Sequence, residues 1–159
     1  MKFVVDTNIL ISALLKGGLS REILTSLDFS FFTPSFALSE IIKYKEYICK
    51  ESSLTEEQFN SVLNKIFEYI KIIPTEKYQS YINQSVSLID DNKDISFLAC
   101  AIALNASILS DDKHFKKQKK VKVFTTEEFV KKFLKKNGFG ALKGIGSYKR
   151  EEDRMKDRE

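Results

Sequence analysis

The chain has 159 residues, 43% of them apolar and 30% charged, which suits one ordinary globular domain and excludes both two full cores and a disordered chain. No apolar run approaches the roughly 20 residues that span a bilayer. The net charge is +4 but unevenly spread: residues 1–112 carry a net −5, whereas residues 113–136 hold ten Lys against two Glu, net +8. An acidic body joined to a lysine-dense segment suits a polyanion partner, and a solvated lysine face is the plainer reading of the same charges.

Lys2–Val5 is a short apolar run ending at Asp6, the pattern of a buried strand. The opening MKFVVDTNILISALL reads as part of the fold, because Asp6 and Asn8 interrupt its apolar stretch and no small-residue cleavage site follows. Residues 8–15 and 21–27 have helical spacing, with Ser20 placed to cap the second. Phe29–Thr33 is a further strand closed by Pro34, and a helix follows over about 35–49. Thr55, with Gln58 three residues on, forms a capping box that opens a helix to about Lys71. Ile72–Ile73 before Pro74 make a brief strand, and 76–89 read as helical. Asp94 then stands before ISFLACAIALN, a helix apolar almost all round and therefore buried. Ala106–Leu109 and Val121–Phe124 are strand-like, and Thr125 with Glu128 repeats the capping box before a helix ending near Lys136. Four of the six glycines fall within residues 138–146, followed by YKREEDRMKDRE. The expected layout is thus a domain over 1–136 and a flexible, charged tail over 137–159.

Short apolar strands alternating with helices predict a parallel sheet covered on both faces. Ligands gather beyond the carboxyl ends of such strands, where the strand order reverses. Asp6 lies at the end of the first strand, and Asp112 lies just past the 106–109 strand. Asp94 opens the buried helix, and Glu40 belongs to the helix after the second strand. If the sheet brings these together, four carboxylates converge on one cleft. Like charges that close need a compensating cation. Oxygen donors suit Mg²⁺ or Mn²⁺, and such a site activates water and offsets the charge of a scissile phosphate. Each acid also has a structural reading. Asp6 and Asp94 are placed to cap helices, Glu40 can be a solvated helix residue, and Asp111 and Asp112 suit a turn.

The remaining signatures narrow the chemistry. Cys49 and Cys100 sit among apolar neighbours with no CxxC spacing, which argues against a disulfide scaffold and a thiolate zinc site and suits a reducing cytosol. One histidine, His114, excludes paired His acid–base catalysis and a zinc site built on several histidines. His114 could contact a phosphate or donate a proton, but a loop histidine that only hydrogen-bonds is the plainer reading. There is no GxxxxGK loop, no GxGxxG after a strand, and no GxSxG elbow.

VVDTNILISALL, the helix carrying Ser39–Glu40, and DNKDISFLACAIALNASILSDDKHF resemble the PIN-domain family of small metal-dependent nucleases. That family includes the ribonuclease toxins of VapBC toxin–antitoxin pairs. The resemblance covers about residues 1–125 and implies a three-layer α/β/α fold with a short, mainly parallel central sheet. It carries Asp6, Glu40, Asp94 and Asp112 onto the family's acidic site. Asp6, Asp94 and Asp112 would then hold Mg²⁺ or Mn²⁺ directly, while Glu40 helps hold the ion or its waters. Asn8 and Ser110 match the family's polar supports, and Asp91 matches a weaker acidic position one turn before Asp94. The chain departs at His114 from members that carry a further acid there; many members lack that acid, so the change bears on a second metal site rather than on the first.

The function so implied is a cytoplasmic endoribonuclease. Lys116, Lys117, Lys119 and Lys120 would guide the RNA backbone, adding affinity with little sequence choice. Family resemblance also implies a homodimer and, for a toxin, an antitoxin that occludes the acidic cleft. A catalytically weak RNA- or protein-binding module and a DNA-directed nuclease using the same site are the alternatives.

Overall fold

The computed structural model describes residues 1–15 and 18–134, so the expected tail over 137–159 lies outside the described residues. Five strands form one parallel sheet: β1 (Lys2–Val5), β2 (Ser30–Pro34), β3 (Ile70–Ile73), β4 (Ser107–Leu109) and β5 (Val123–Phe124). Their order is β3-β2-β1-β4-β5. The chain therefore steps outward from β1 through β2 to β3, then returns to the other side of β1 for β4 and β5. The strand order reverses between β1 and β4, and this places the site.

Phe3, Val4 and Val5 are all completely buried, although successive strand residues point to opposite faces. Both sides of the sheet are thus covered, as its short apolar strands demand. The helices are α1 (Thr7–Leu15), α2 (Gly18–Leu24), α3 (Ser35–Lys43), α4 (Lys45–Ser52), α5 (Glu56–Ile66), α6 (Ile82–Val86), α7 (Asn92–Leu104) and α8 (Thr126–Phe129). Helix α7 packs against β1 and β2 and buries Phe97, Leu98, Ala99, Cys100 and Ala101 in succession, the nearly all-round burial its composition predicts. Burial pushes the Cys100 thiol up to about 12, which keeps it a protonated packing group. Cys49 is also free.

Several boundaries differ from the sequence reading. Tyr44, at φ −97° and ψ 11°, divides the expected 35–49 helix into α3 and α4. Both capping boxes are present, at Thr55/Gln58 and Thr125/Glu128. The helix opened by Thr55 nevertheless ends at Ile66, which leaves Ile70–Ile73 to pair in register with Phe31–Pro34 of β2. The 76–89 stretch resolves into 3₁₀ turns over Thr75–Lys77 and Gln79–Tyr81 and the short α6. Ser85 bonds back to the Tyr81 carbonyl at 2.9 Å, a local alternative to helical pairing. Ser20 lies inside α2 and reaches Ser12 at 3.3 Å instead of capping; the helix begins at Gly18, whose φ of +54° glycine adopts without strain. Beyond α8 the chain winds as one π-helical turn over Val130–Leu134.

Candidate functional site

Asp6 follows β1 directly and Ser110 follows β4, so both stand at the carboxyl ends of the two strands between which the order reverses. The register holds them there: Asp6 N donates to Leu109 O, and Ser110 N donates to Phe124 O, each at 3.0 Å. Ser110 is fully buried and works in two directions. Its hydroxyl donates to Asp6 Oδ2 at 2.7 Å and accepts from the backbone N–H of Asp112 at 3.0 Å. One short side chain thereby ties the Asp6 carboxylate to the backbone that carries Asp112.

Asp94 enters from α7. The expectation that it caps this helix is corrected: Asp91 is the cap, its carboxylate accepting from Lys93 N at 3.0 Å. The helix starts one turn earlier than its apolar pattern suggests, through Asn92 and Lys93, which places Asp94 in the first turn. Asp94 is only 6% exposed, and the N-terminal end of the helix dipole favours its negative charge. Asp91 thus has a structural duty where the family resemblance suggests an accessory acid.

Asp112, also 6% exposed, caps the 3₁₀ turn Lys113–Lys117 by accepting from His114 N at 2.9 Å. The His114 ring reaches the same oxygen, with Nδ1 at 3.1 Å from Oδ1. Among the described residues, Asp94, Asp112 and His114 form a set in which one donor atom of each lies within 4.8 Å of the others. Asp6 is tied to this set through Ser110.

Glu40 is half-buried on α3, and its Oε1 accepts the Thr7 hydroxyl at 2.7 Å. Thr7 is the residue next to Asp6, so the fourth predicted acid is brought to the neighbour of the first. Asn8 follows in the first turn of α1, partly exposed. Sequence reasoning missed Thr7, which carries no signal beyond its position after Asp6. It also missed Thr33, whose buried hydroxyl bonds Val5 O at 2.9 Å and steadies the end of β1.

The four predicted lysines do not share one face. Lys116 turns to α8, where it pairs with Glu128. Burial pushes the Glu128 carboxyl up, but hydrogen bonds from Lys116 and the Thr125 N–H, with the charges of Lys116 and Lys131, hold it below its usual value. Lys117 lines a hollow of about 250 Å³ with His114, Asp91 and Ile89, beside the acidic set. Lys119 and Lys120 are exposed.

Asp94 and Asp112, both buried and with carboxylate oxygens within 4.8 Å of each other, repel one another in a poorly screened space. Carboxylate oxygens with an adjoining imidazole are donors a divalent cation accepts, so the residues present fit such an ion.

Fold and cleft together define a parallel α/β domain that gathers carboxylates at its topological switch point. That class narrows to a family: the chain belongs to the PIN domains, whose family model matches residues 4–133. PIN domains are generally nucleases. Solved structures with the same fold include VapBC2 from Rickettsia felis bound to a DNA fragment from its promoter, at 23% identity and a TM-score of 0.65, covering 79% of this chain and 98% of that one. DNA-bound VapBC from Salmonella typhimurium is similar at 17% identity and a TM-score of 0.64, covering 79% and 98%. VapBC-1 from nontypeable Haemophilus influenzae follows at 17% identity and a TM-score of 0.60, covering 80% and 99%. No curated protein matches the chain in sequence. No helix among the described residues is long and apolar enough to cross a membrane.

Proposed function

We propose that this PIN domain is a Mg²⁺- or Mn²⁺-dependent endoribonuclease that hydrolyses RNA phosphodiester bonds in the cytoplasm. The observation that carries the reading is the convergence of Asp94 and Asp112 at the strand switch point, with Asp6 joined to them through Ser110. Asp6, Asp94 and Asp112 would hold the cation, with Glu40 beside them. When bound, the cation activates a water for attack on phosphorus and offsets charge on the departing oxygen.

The chain's own residues supply the positioning. Ser110 holds the Asp6 carboxylate against the backbone of Asp112, and Thr7 orients Glu40 toward the same end of the sheet. Asp91 holds the start of α7, and with it the backbone that carries Asp94. Lys117, Lys119 and Lys120 attract the phosphate backbone without reading its bases. Lys116 contributes less than they do, because its charge is engaged by Glu128.

The fold neighbours are VapBC proteins, two of them bound to DNA. We read this chain as the toxin of such a pair: a homodimer whose antitoxin partner covers the acidic cleft. Cleavage assays on single-stranded and structured RNA and on DNA, with Mg²⁺ or Mn²⁺, test the proposal. Cleavage of RNA that stops with EDTA and with Asp94→Asn is expected. Cleavage persisting in either control overturns the metal mechanism. RNA binding without cleavage under any divalent ion identifies a binding module, and cleavage confined to DNA reassigns the substrate.

A further inference from the structure

We propose that His114 is a ligand of the cation in this cleft, making it a mixed carboxylate–imidazole centre that prefers Mn²⁺ to Mg²⁺. The proposal rests on the cation-dependent reading above and adds to it a donor of a different element. Its first support is distance. One donor atom each of Asp94, Asp112 and His114 lies within 4.8 Å of the other two. Ligands on opposite sides of an ion with bonds of about 2.1 Å stand roughly 4.2 Å apart, so a small movement lets one cation touch all three.

The second support is constraint. The His114 backbone N–H donates to Asp112 Oδ1 at 2.9 Å, and its ring Nδ1 stands 3.1 Å from the same atom. The side chain is held against the carboxylate of a residue whose backbone N–H is bonded to Ser110. Exposure of 53% leaves the ring reachable from solvent, where it lines a hollow beside Lys117 and Asp91.

The preference follows from donor chemistry. Mg²⁺ is a hard ion that demands oxygen ligands in near-ideal octahedral geometry. Imidazole nitrogen suits first-row transition ions, of which Mn²⁺ accepts nitrogen and carboxylate oxygen together. A carboxylate at position 114 would restore an all-oxygen set and move the balance toward Mg²⁺. The competing role for His114 is to orient Asp112 through the Nδ1 contact without touching the ion.

Because the chain contains one histidine, a spectroscopic signal from coordinated imidazole has one source. The test is pulsed EPR of the Mn²⁺-loaded full chain, prepared without a histidine tag, for ¹⁴N modulation. Calorimetric titration with Mn²⁺ and Mg²⁺ is run on the same protein. We expect imidazole ¹⁴N modulation in the wild type and its loss in His114→Ala. In His114→Asp the ratio of Mn²⁺ to Mg²⁺ affinity should fall about tenfold or more, since even outer-shell changes reach that size. Tight Mn²⁺ binding with no ¹⁴N modulation, or an unchanged affinity ratio in His114→Asp, overturns the ligand role and leaves the nuclease reading standing. No Mn²⁺ binding by any variant overturns that reading as well.

Discussion

Phe3 and Asp6 stand three residues apart, on β1 and just beyond it, yet one is surrounded by rings and the other is a buried charge bonded to the Ser110 hydroxyl. The Phe3 ring meets those of Phe29, Phe31, Phe124, Phe129 and Phe133 at centroid distances of 5.1 to 6.0 Å, most of them edge-on. These rings satisfy one another, and burial of their area stabilises the fold with nothing further required. At the other end of the strand, Asp6, Asp94 and Asp112 are nearly as buried, and the close pair Asp94 and Asp112 carries like charge. The comparison teaches that stability is concentrated in one part of the sheet and spent in another. A domain with a smaller ring cluster would have less margin for holding three acids away from water.

Substitutions at the two ends should separate along that line. The largest effect belongs to Phe3→Ala, expected to lose roughly 3–5 kcal/mol in urea unfolding while the molecules still folded keep their cation affinity. A loss below about 1 kcal/mol would mean that the rings repack around the gap and that the cluster is not where stability resides. Asp94→Asn should do the reverse. Cleavage is expected to fall about a thousandfold, or ~4 kcal/mol of transition-state stabilisation, while the melting temperature of the cation-free protein holds or rises. A drop of several degrees there would show that Asp94 supports the fold rather than the chemistry.

Ser110→Ala sharpens the comparison at an intermediate scale. It removes a hydrogen bond to Asp6 and the acceptor for the Asp112 N–H, so calorimetry should show cation affinity weakened by about ten- to a hundredfold. The smallest effect concerns Glu128, whose carboxyl is held below its usual value. Its contribution to stability is present above the ordinary glutamate pKa of about 4.3 and is lost as pH falls through the lower folded value. At 44% exposure the ion pair with Lys116 is screened and worth at most about 0.5 kcal/mol. Glu128→Gln should therefore flatten the acid limb of the stability profile slightly; an unchanged profile would assign the low pKa no energetic weight.

Much of the architecture was legible because it follows from local chemistry. The apolar runs of β1 and β4, the Thr55 and Thr125 capping boxes and the burial of α7 all appear where residue pattern places them. The break at Tyr44 was not legible, since no glycine or proline marks it and α4 turns to pack on α1 and α5. The 3₁₀ turns over Thr75–Tyr81 were hidden by a helical spacing that the backbone does not follow. At the site, the acids themselves were readable from their positions at strand and helix ends. Their supports were less so. In DDNKD, three acids compete to cap α7, and apolar periodicity beginning at Ile95 favours Asp94; only the extra polar turn shows that Asp91 takes the task. His114 could be read as a loop residue because its proximity to Asp94 depends on a tertiary approach.

Asp111 and Asp112 are adjacent and divide their labour. Asp111 accepts from the Thr126 N–H at 2.8 Å and from its hydroxyl at 3.1 Å, which fastens the loop to the start of α8. On the other side, Ser110 grips the Asp112 N–H. The peptide carrying Asp112 is clamped at both flanks by bonds in which no cation takes part. An ion held here as proposed would meet a loop already fastened, and little of its binding energy would be diverted into arranging it.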